Sequence, residues 1–130
     1  MVIIKYSVHV EQKTVDEHLF IEDHEAVVVS GDSYHRVIYK EKDGVDVVLD
    51  ISPNEVSLKR YGEWLTHGLF SSNNKSYLSV NNELGTLNID IALMDLKYDK
   101  QSLLLKYNIE DEEGIVSEHE YICRWNRRDE

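Results

Sequence analysis

Apolar and polar residues alternate with a period of two along nearly the whole chain, and residues typical of turns interrupt this alternation at short intervals. Such alternation is typical of β-strands that bury one face. Asp43-Gly44, between two such runs, favours a two-residue hairpin because both central positions of the preferred turn need a positive φ. The alternation predicts strands at about residues 2–11, 18–29, 34–41, 45–51, 56–60, 63–70, 76–81, 84–98, 102–110 and 115–125.

The short connections between consecutive strands predict an antiparallel meander. An open meander of this length would accumulate twist and expose two edges, and closure into a barrel removes both edges. A two-sheet sandwich is the alternative, but its Greek-key crossovers need longer connections than this chain offers. We therefore predict an all-β fold with one domain over residues 1–130, in which a single antiparallel meander closes into a β-barrel of about eight to ten strands.

The amino-acid composition favours the same fold class. The chain contains 14 Val, 10 Ile and 8 Tyr but only 2 Ala. Branched and aromatic side chains suit a pleated surface, whereas helices favour Ala. The one cysteine, Cys123, cannot close an internal disulfide, and this cysteine usage indicates a reducing compartment.

The charge of the chain argues against two classes of partner. Its 14 basic and 25 acidic residues give a net charge of −11, which opposes phosphate backbones and anionic lipids. The apolar run at the N-terminus breaks at Lys5, too early for the core of a signal peptide, and no apolar stretch approaches membrane-spanning length. We expect a cytoplasmic protein with no cofactor, no nucleic-acid partner and no membrane partner. The oligomeric state stays open.

The segment between residues 55 and 87 carries several landmarks: an Arg-x-Gly motif at Arg60 and Gly62, a lone Phe70, Tyr77 and Gly85. The alternating run 103–109 and a closing strand with His119 follow. In this order of elements, over about residues 18–125, the chain resembles the bacterial YwiB-like family, a domain-of-unknown-function family. The resemblance implies a calycin-type (lipocalin-like) β-barrel of bacterial origin. It implies no activity and no catalytic residue.

His119 is the first candidate for a ligand-binding residue. The alternation places it on one strand face with Ile115, Tyr121, Cys123 and Trp125, which is the predicted interior. A histidine in the lumen can orient a polar ligand group or act as an acid or base. The alternative is a core histidine whose polar atoms are satisfied by a backbone carbonyl or a Tyr hydroxyl.

Arg60 is the second candidate, because it shares its strand face with the apolar residues Val56 and Leu58. An inward guanidinium needs a partner, since an unpaired buried charge loses its hydration. Three alternatives stay open: Arg60 pairs with an interior carboxylate, it binds a ligand anion, or the strand ends there and the side chain reaches solvent.

Large aromatic side chains complete the candidate site. Such residues line ligand cavities, but they also fill the interior of small barrels. The predicted ligand-binding residues are Arg60, Tyr77, Tyr107, His119, Tyr121 and Trp125.

Histidines beside carboxylates raise the question of a metal site. His18, Glu22 and His24 share a face of one predicted strand, and imidazole with carboxylate suits zinc. A solvated acidic strand is the simpler interpretation of this segment. We therefore predict no metal ligand.

These observations lead to three hypotheses about function. A barrel of this size holds packed side chains or one small ligand, so we predict a binding module for a small, partly apolar ligand. The alternative is a non-enzymatic interaction or structural module whose acidic surface recruits a basic partner. An enzyme is the weakest interpretation, because the sequence contains no Gly-rich phosphate loop and no CxxC, GxSxG or HExxH motif.

Overall fold

The computed structural model of the protein describes residues 5–14 and 17–128, with backbone alone for residues 17–20. Every regular element in these segments is a β-strand. The strands are β1 (Tyr6–Thr14), β2 (Glu17–Gly31), β3 (Tyr34–Lys40), β4 (Asp46–Ser52), β5 (Glu55–Tyr61), β6 (Leu65–Ser71), β7 (Ser76–Asn82), β8 (Gly85–Tyr98), β9 (Ser102–Asp111) and β10 (Gly114–Arg127). Within the described segments, no helix is long and apolar enough to span a membrane.

The strands form one closed sheet. Each strand pairs antiparallel with the next along the chain, and β1 also pairs with β10, which closes the barrel. This arrangement confirms the predicted all-β meander and its closure, with ten strands. Closure satisfies the backbone groups that a sandwich or an open sheet would leave at its edges.

Packed side chains fill the middle of the barrel, which we call the waist. The waist consists of inward-facing residues that are 0–1% exposed: Val8, Val10, Val37, Val47, Leu49, Ile51, Val56, Leu103, Leu105 and Cys123. Gly68 lies beside these residues, at a position with no space for a side chain. A Cβ atom there would stand 2.9 Å from the ring of Phe70 and 3.0 Å from Leu78. Phe70 in turn packs against the ring of Tyr107, with 5.0 Å between the centroids. The waist is therefore a close-packed core and leaves no room for a ligand.

The two ends of the barrel differ from each other. We call the end where the β3–β4, β5–β6, β7–β8 and β9–β10 hairpins turn the mouth, and the opposite end the base. At the mouth, the inward-facing residues of β7, β8 and β9 are only partly buried, and Leu87 is 59% exposed. Near the base, His35 is 8% and Trp125 is 2% exposed. Leu87 makes the mouth the end at which an inner-face apolar residue is most exposed among those described.

An irregularity in β10 changes the predicted environment of His119. The register of β10 against β9 shifts between Ile115 and Ser117, so Ile115 pairs with Glu110 on the outer face and Ser117 pairs with Ile109 on the inner face. Ile115 is accordingly 58% exposed. The prediction that Ile115 shares a face with His119 is therefore wrong, because a β-bulge inserts one residue and reverses the alternation.

Candidate functional site

Arg60 lies at the mouth and forms an ion pair with Glu41, the residue that follows β3. Nε and Nη2 of Arg60 both donate to Oε1 of Glu41, at 3.1 and 2.5 Å. The side chain of Glu41 is 6% exposed and that of Arg60 is 38% exposed. Of the three alternatives for Arg60, the structure has the interior carboxylate. Pairing removes most of the cost of turning both charged groups toward the lumen.

A recess of about 320 Å³ opens beside this ion pair. Its walls consist of side chains from β1, β2, the β3–β4 hairpin and β5: Gln12, Glu22, Glu41, Lys42, Asp43 and Arg60. Three of these residues are carboxylates and two are cations, so the recess carries an excess of negative charge. It is a polar pocket in the wall of the mouth.

Glu22 and His24 lie on the inner face of β2, and Glu22 also lines this recess. The two side chains make an unusual contact with each other. Nε2 of His24 lies 2.9 Å from Oε2 of Glu22, and the side chains are only 7% and 13% exposed. Both atoms are buried and neither makes a hydrogen bond, because the two groups are not aligned for one. The imidazole of His24 stacks on Tyr39, with 5.3 Å between the ring centroids. A buried polar pair without hydrogen bonds is rare in folded proteins.

The candidate metal set on this strand, His18, Glu22 and His24, includes these two residues. Its third member, His18, has a side chain outside the described residues. Among the side chains that are described, no three from His, Cys, Asp and Glu are grouped so that they could hold a metal ion.

His119 and Tyr107 lie on β10 and β9, on the side of the mouth across from Arg60. Their rings stack with 5.2 Å between centroids, and Nε2 of His119 is hydrogen-bonded to the Ser117 hydroxyl at 2.6 Å. Burial lowers the pKa of His119 and raises the pKa of Tyr107. Both groups are therefore uncharged at neutral pH, and this side of the mouth offers aromatic surface and neutral polar atoms.

The other three predicted site residues lie elsewhere. Tyr121 is 4% exposed below the mouth, where its hydroxyl is hydrogen-bonded to that of Tyr39 at 3.0 Å, and burial raises the pKa of both phenols. Trp125 packs near the base, 5.3 Å from the ring of His35.

Tyr77 faces outward, because Ser76 and Leu78 face inward, and its ring meets the edge of His67 at 5.7 Å on the outer surface. The structure thus does not bring Tyr77 together with the others.

Apart from Arg60, the charged residues of the recess are absent from the predicted site. Glu41 could have been found, because it continues the inward alternation of Val37 and Tyr39 at the end of their strand. Glu22 was considered only as a metal ligand. Gln12 meets Glu22 across the β1–β2 hairpin, through a strand register that the alternation does not specify.

A second opening lies at the base, between the β2–β3 and β8–β9 turns. It is a cleft of about 760 Å³ whose walls include Pro53, Leu96 and the pair His35 and Tyr98. Nδ1 of His35 is hydrogen-bonded to the Tyr98 hydroxyl. Burial lowers the pKa of His35 and raises that of Tyr98, so this pair is uncharged at neutral pH. This hydrogen bond gives Nδ1 of His35 and the Tyr98 hydroxyl a partner within the protein, as is usual for buried polar groups.

Comparison with known proteins gives a family and a fold. The sequence model of a family described as "Domain of unknown function (DUF1934)" matches residues 2–122. The crystal structure of the ywiB protein from Bacillus subtilis superposes with a TM-score of 0.67 over 97% of this chain and 92% of that chain, at 11% sequence identity. At this identity the likeness shows the fold alone. No curated protein matches. The resemblance drawn from the landmarks between residues 55 and 87 is thereby confirmed.

Proposed function

The chain belongs to the DUF1934 family of unknown function, and we propose that it binds a small, partly apolar ligand in the mouth of its barrel. One observation carries this proposal: inward-facing apolar side chains at the mouth remain exposed, directly above a waist that is fully packed. Small-molecule sites combine apolar walls with a few polar groups, and the mouth has both.

The apolar wall of this site is formed by β7, β8 and β9. Leu87 faces the lumen side yet is 59% exposed, and Val80, Ile89 and Ile109 around it are half-buried. Covering such surface contributes about 25 cal/mol per Å² of apolar area removed from water. An apolar group of a ligand therefore gains most by lying against these strands.

The packed waist limits where the ligand is held. Lipocalin-like barrels with a hollow interior enclose their ligands deeply, whereas residues such as Leu49 and Leu105 fill this interior. The ligand therefore sits in the mouth, between Tyr107 and His119 on one side and Arg60 on the other. Tyr121 supports the site from below, and neither Trp125 nor Tyr77 contacts the ligand.

The test uses n-octanol as a neutral amphiphilic probe and backbone NMR shifts as the readout. We expect the shifts to concentrate at the mouth residues of β8, β9 and β10. Leu87→Arg places a charge on the apolar wall and weakens binding roughly tenfold, the effect of about 1.4 kcal/mol. Leu84→Arg is the matched control, because Leu84 is 95% exposed in the turn of the same hairpin. Shifts at the base, or equal effects of the two substitutions, would count against the proposal.

A second candidate function rests on the outer face of β2. Ile21, Val27 and Val29 are 52–58% exposed there, with Asp23 and Glu25 between them on the same face. Such a strip suits a partner segment that is basic and apolar, in line with the net charge of −11. If octanol leaves the mouth residues unshifted and protein from its host carries no extra mass in native mass spectrometry, this interaction module becomes the preferred function.

Cytoplasmic residence forms part of the proposal. Burial raises the pKa of the Cys123 thiol to about 12, which leaves the thiol protonated and unreactive at neutral pH. A single buried thiol of this kind cannot form an internal disulfide, so an oxidising compartment would give this chain no covalent stabilisation.

A further inference from the structure

We infer that the cleft at the base of the barrel is a second binding site, in which Nε2 of His35 donates a hydrogen bond to an uncharged acceptor, such as a carbonyl, on a small ligand. This site is independent of a ligand in the mouth, because the two openings lie at opposite ends of the barrel. The volume of the cleft is about 760 Å³. Small-molecule sites have volumes of about 300–1,000 Å³, so the cleft is large enough for such a ligand.

The first argument is a buried histidine with one ring nitrogen left open. His35 faces inward from β3 and is only 8% exposed, yet it lines the cleft. Its Nδ1 is hydrogen-bonded to the Tyr98 hydroxyl, whereas its Nε2 has no hydrogen-bond partner in the part of the chain that the structure describes. Nε2 is also not one of the described polar atoms that are closed off from solvent. This nitrogen therefore opens into the cleft, where a ligand atom can reach it.

The second argument concerns the proton on His35. A phenol is a stronger acid than a neutral imidazole, and an imidazole nitrogen is a better acceptor than a phenol oxygen. The Tyr98 hydroxyl therefore donates to Nδ1, which leaves the imidazole hydrogen on Nε2. Burial raises the pKa of Tyr98, so the hydroxyl keeps its proton at neutral pH. The cleft thus offers an N–H donor in a fixed place, and an acceptor on the ligand completes it.

The third argument concerns charge at the floor of the cleft. Burial alone lowers the pKa of His35, and no charged side chain among the described residues contributes to this shift. The charged residues of the cleft lie at its exposed rim, two of each sign: Asp32, Lys97, Asp99 and Lys100. An ionised ligand group would lose hydration at the floor without an opposite charge to replace it. The floor therefore favours an uncharged acceptor over a carboxylate or a phosphate.

The surroundings of His35 suit a ligand with a compact apolar body. Pro53 and Leu96 line the cleft together with Tyr98. The rings of Tyr98 and Trp125 pack against the imidazole, with 5.6 and 5.3 Å between centroids, and hold it in one orientation. A site with apolar walls and one well-placed polar group is typical of small-molecule binding. The ligand class is therefore a small ring compound that carries a carbonyl.

The position of the proton is tested first, without a ligand, by the nitrogen NMR shifts of the His35 ring at neutral pH. We expect the tautomer with hydrogen on Nε2 in the wild type. In Tyr98→Phe, which lacks the hydroxyl that donates to Nδ1, we expect a mixture of both tautomers. A wild-type spectrum with hydrogen on Nδ1 would overturn the inference, because Nε2 would then be an acceptor.

The ligand class is tested with four aromatic probes that differ in their polar group: acetophenone, ethylbenzene, benzoate and benzylamine. The readout is the backbone NMR signals of the β2–β3 and β8–β9 turns, which line the cleft. We expect acetophenone to bind there roughly tenfold more tightly than each of the other three, the effect of one hydrogen bond to a buried donor. If no probe shifts these turns, the cleft is not a binding site. Equal binding of ethylbenzene, or tighter binding of benzoate or benzylamine, would overturn the role of an uncharged acceptor.

His35→Phe tests the residue that carries the inference. This substitution keeps an aromatic ring beside Trp125 and removes both ring nitrogens. We expect acetophenone to bind roughly tenfold more weakly, with ethylbenzene unchanged. His67→Phe is the matched control, because His67 lies on the outer face, where its imidazole is hydrogen-bonded to Ser57. Unchanged acetophenone affinity in a His35→Phe protein with a normal melting temperature would overturn the inference.

The mouth and the cleft are separated by a substitution in each. Leu87→Arg, which weakens octanol binding at the mouth, should leave acetophenone binding at the base as it is. His35→Phe should in turn leave the octanol shifts at the mouth unchanged. If Leu87→Arg weakens acetophenone as much as His35→Phe does, acetophenone binds in the mouth, and the assignment of the cleft is overturned while the proposed function stands.

Discussion

The waist and the mouth of this barrel are built from the same ten strands but have opposite character. At the waist, residues such as Val37, Leu49 and Leu105 are 0% exposed and entirely apolar. At the mouth, four residues beyond Val37 and Val56 of the waist, Glu41 and Arg60 are paired in the wall, and Leu87 is 59% exposed. The difference shows that the fully packed apolar residues lie in one layer of this fold, and the paired charges and exposed apolar residues in another.

This separation has a physical origin. Closing the sheet requires only that every strand find two partners and that the waist be filled. Neither requirement involves the mouth, where strands run past the packed layer. Polar and apolar groups can therefore remain incompletely satisfied there without unfolding the barrel, and these are the groups that a ligand can complete.

Truncation of a leucine in each layer is the strongest test of this contrast. Leu49→Ala removes buried methyl groups from the waist and should lower the free energy of unfolding by about 2–5 kcal/mol. Leu87→Ala, at the mouth, should change it by no more than about 0.5 kcal/mol. Urea unfolding followed by the fluorescence of the buried Trp125 measures both. Similar losses in the two variants would remove the distinction between the layers.

The ion pair of the mouth gives an intermediate effect. Glu41→Gln leaves the Arg60 guanidinium without a carboxylate, and because Arg60 is 38% exposed we expect a loss of about 1–2 kcal/mol rather than the full cost of a buried charge. Adding Arg60→Met to Glu41→Gln removes the unpaired charge and should restore most of the stability. A double variant that is less stable than Glu41→Gln would show that the pair contributes more than mutual neutralisation.

The smallest effect concerns pH and His119. Burial lowers the pKa of this residue below that of an unfolded histidine, so the unfolded chain binds the proton more readily. Its contribution to stability is therefore present above the unfolded pKa and is lost as the pH falls from about 7.5 to about 5.5. Urea unfolding at these two pH values should show a smaller difference for His119→Gln than for the wild type. Equal differences would mean that protonation of His119 is not linked to unfolding.

Sequence reasoning predicted the site unevenly. Arg60 and His119 are predicted because each is a polar residue in the phase of an apolar strand face, and the structure places both at the mouth. Tyr77 was selected for its residue type, although its neighbours Ser76 and Leu78 occupy the inward positions. The bulge at Ile115 had no signature in the alternation, and it reversed the face of the residues that precede it.

The sequence by itself determined the strands, their order and the closure of the barrel. These follow from period-two alternation and short turns, which are local properties that each segment expresses independently. Only the tertiary structure decided that Glu22, Glu41 and Gln12 share one recess. Gln12 and Glu22 meet across the β1–β2 hairpin, and β3 lies beside β2 with Glu41 at its end. The curvature of the sheet then brings Arg60 of β5 to the same recess. Contacts of this kind depend on register and barrel geometry, which no single segment encodes.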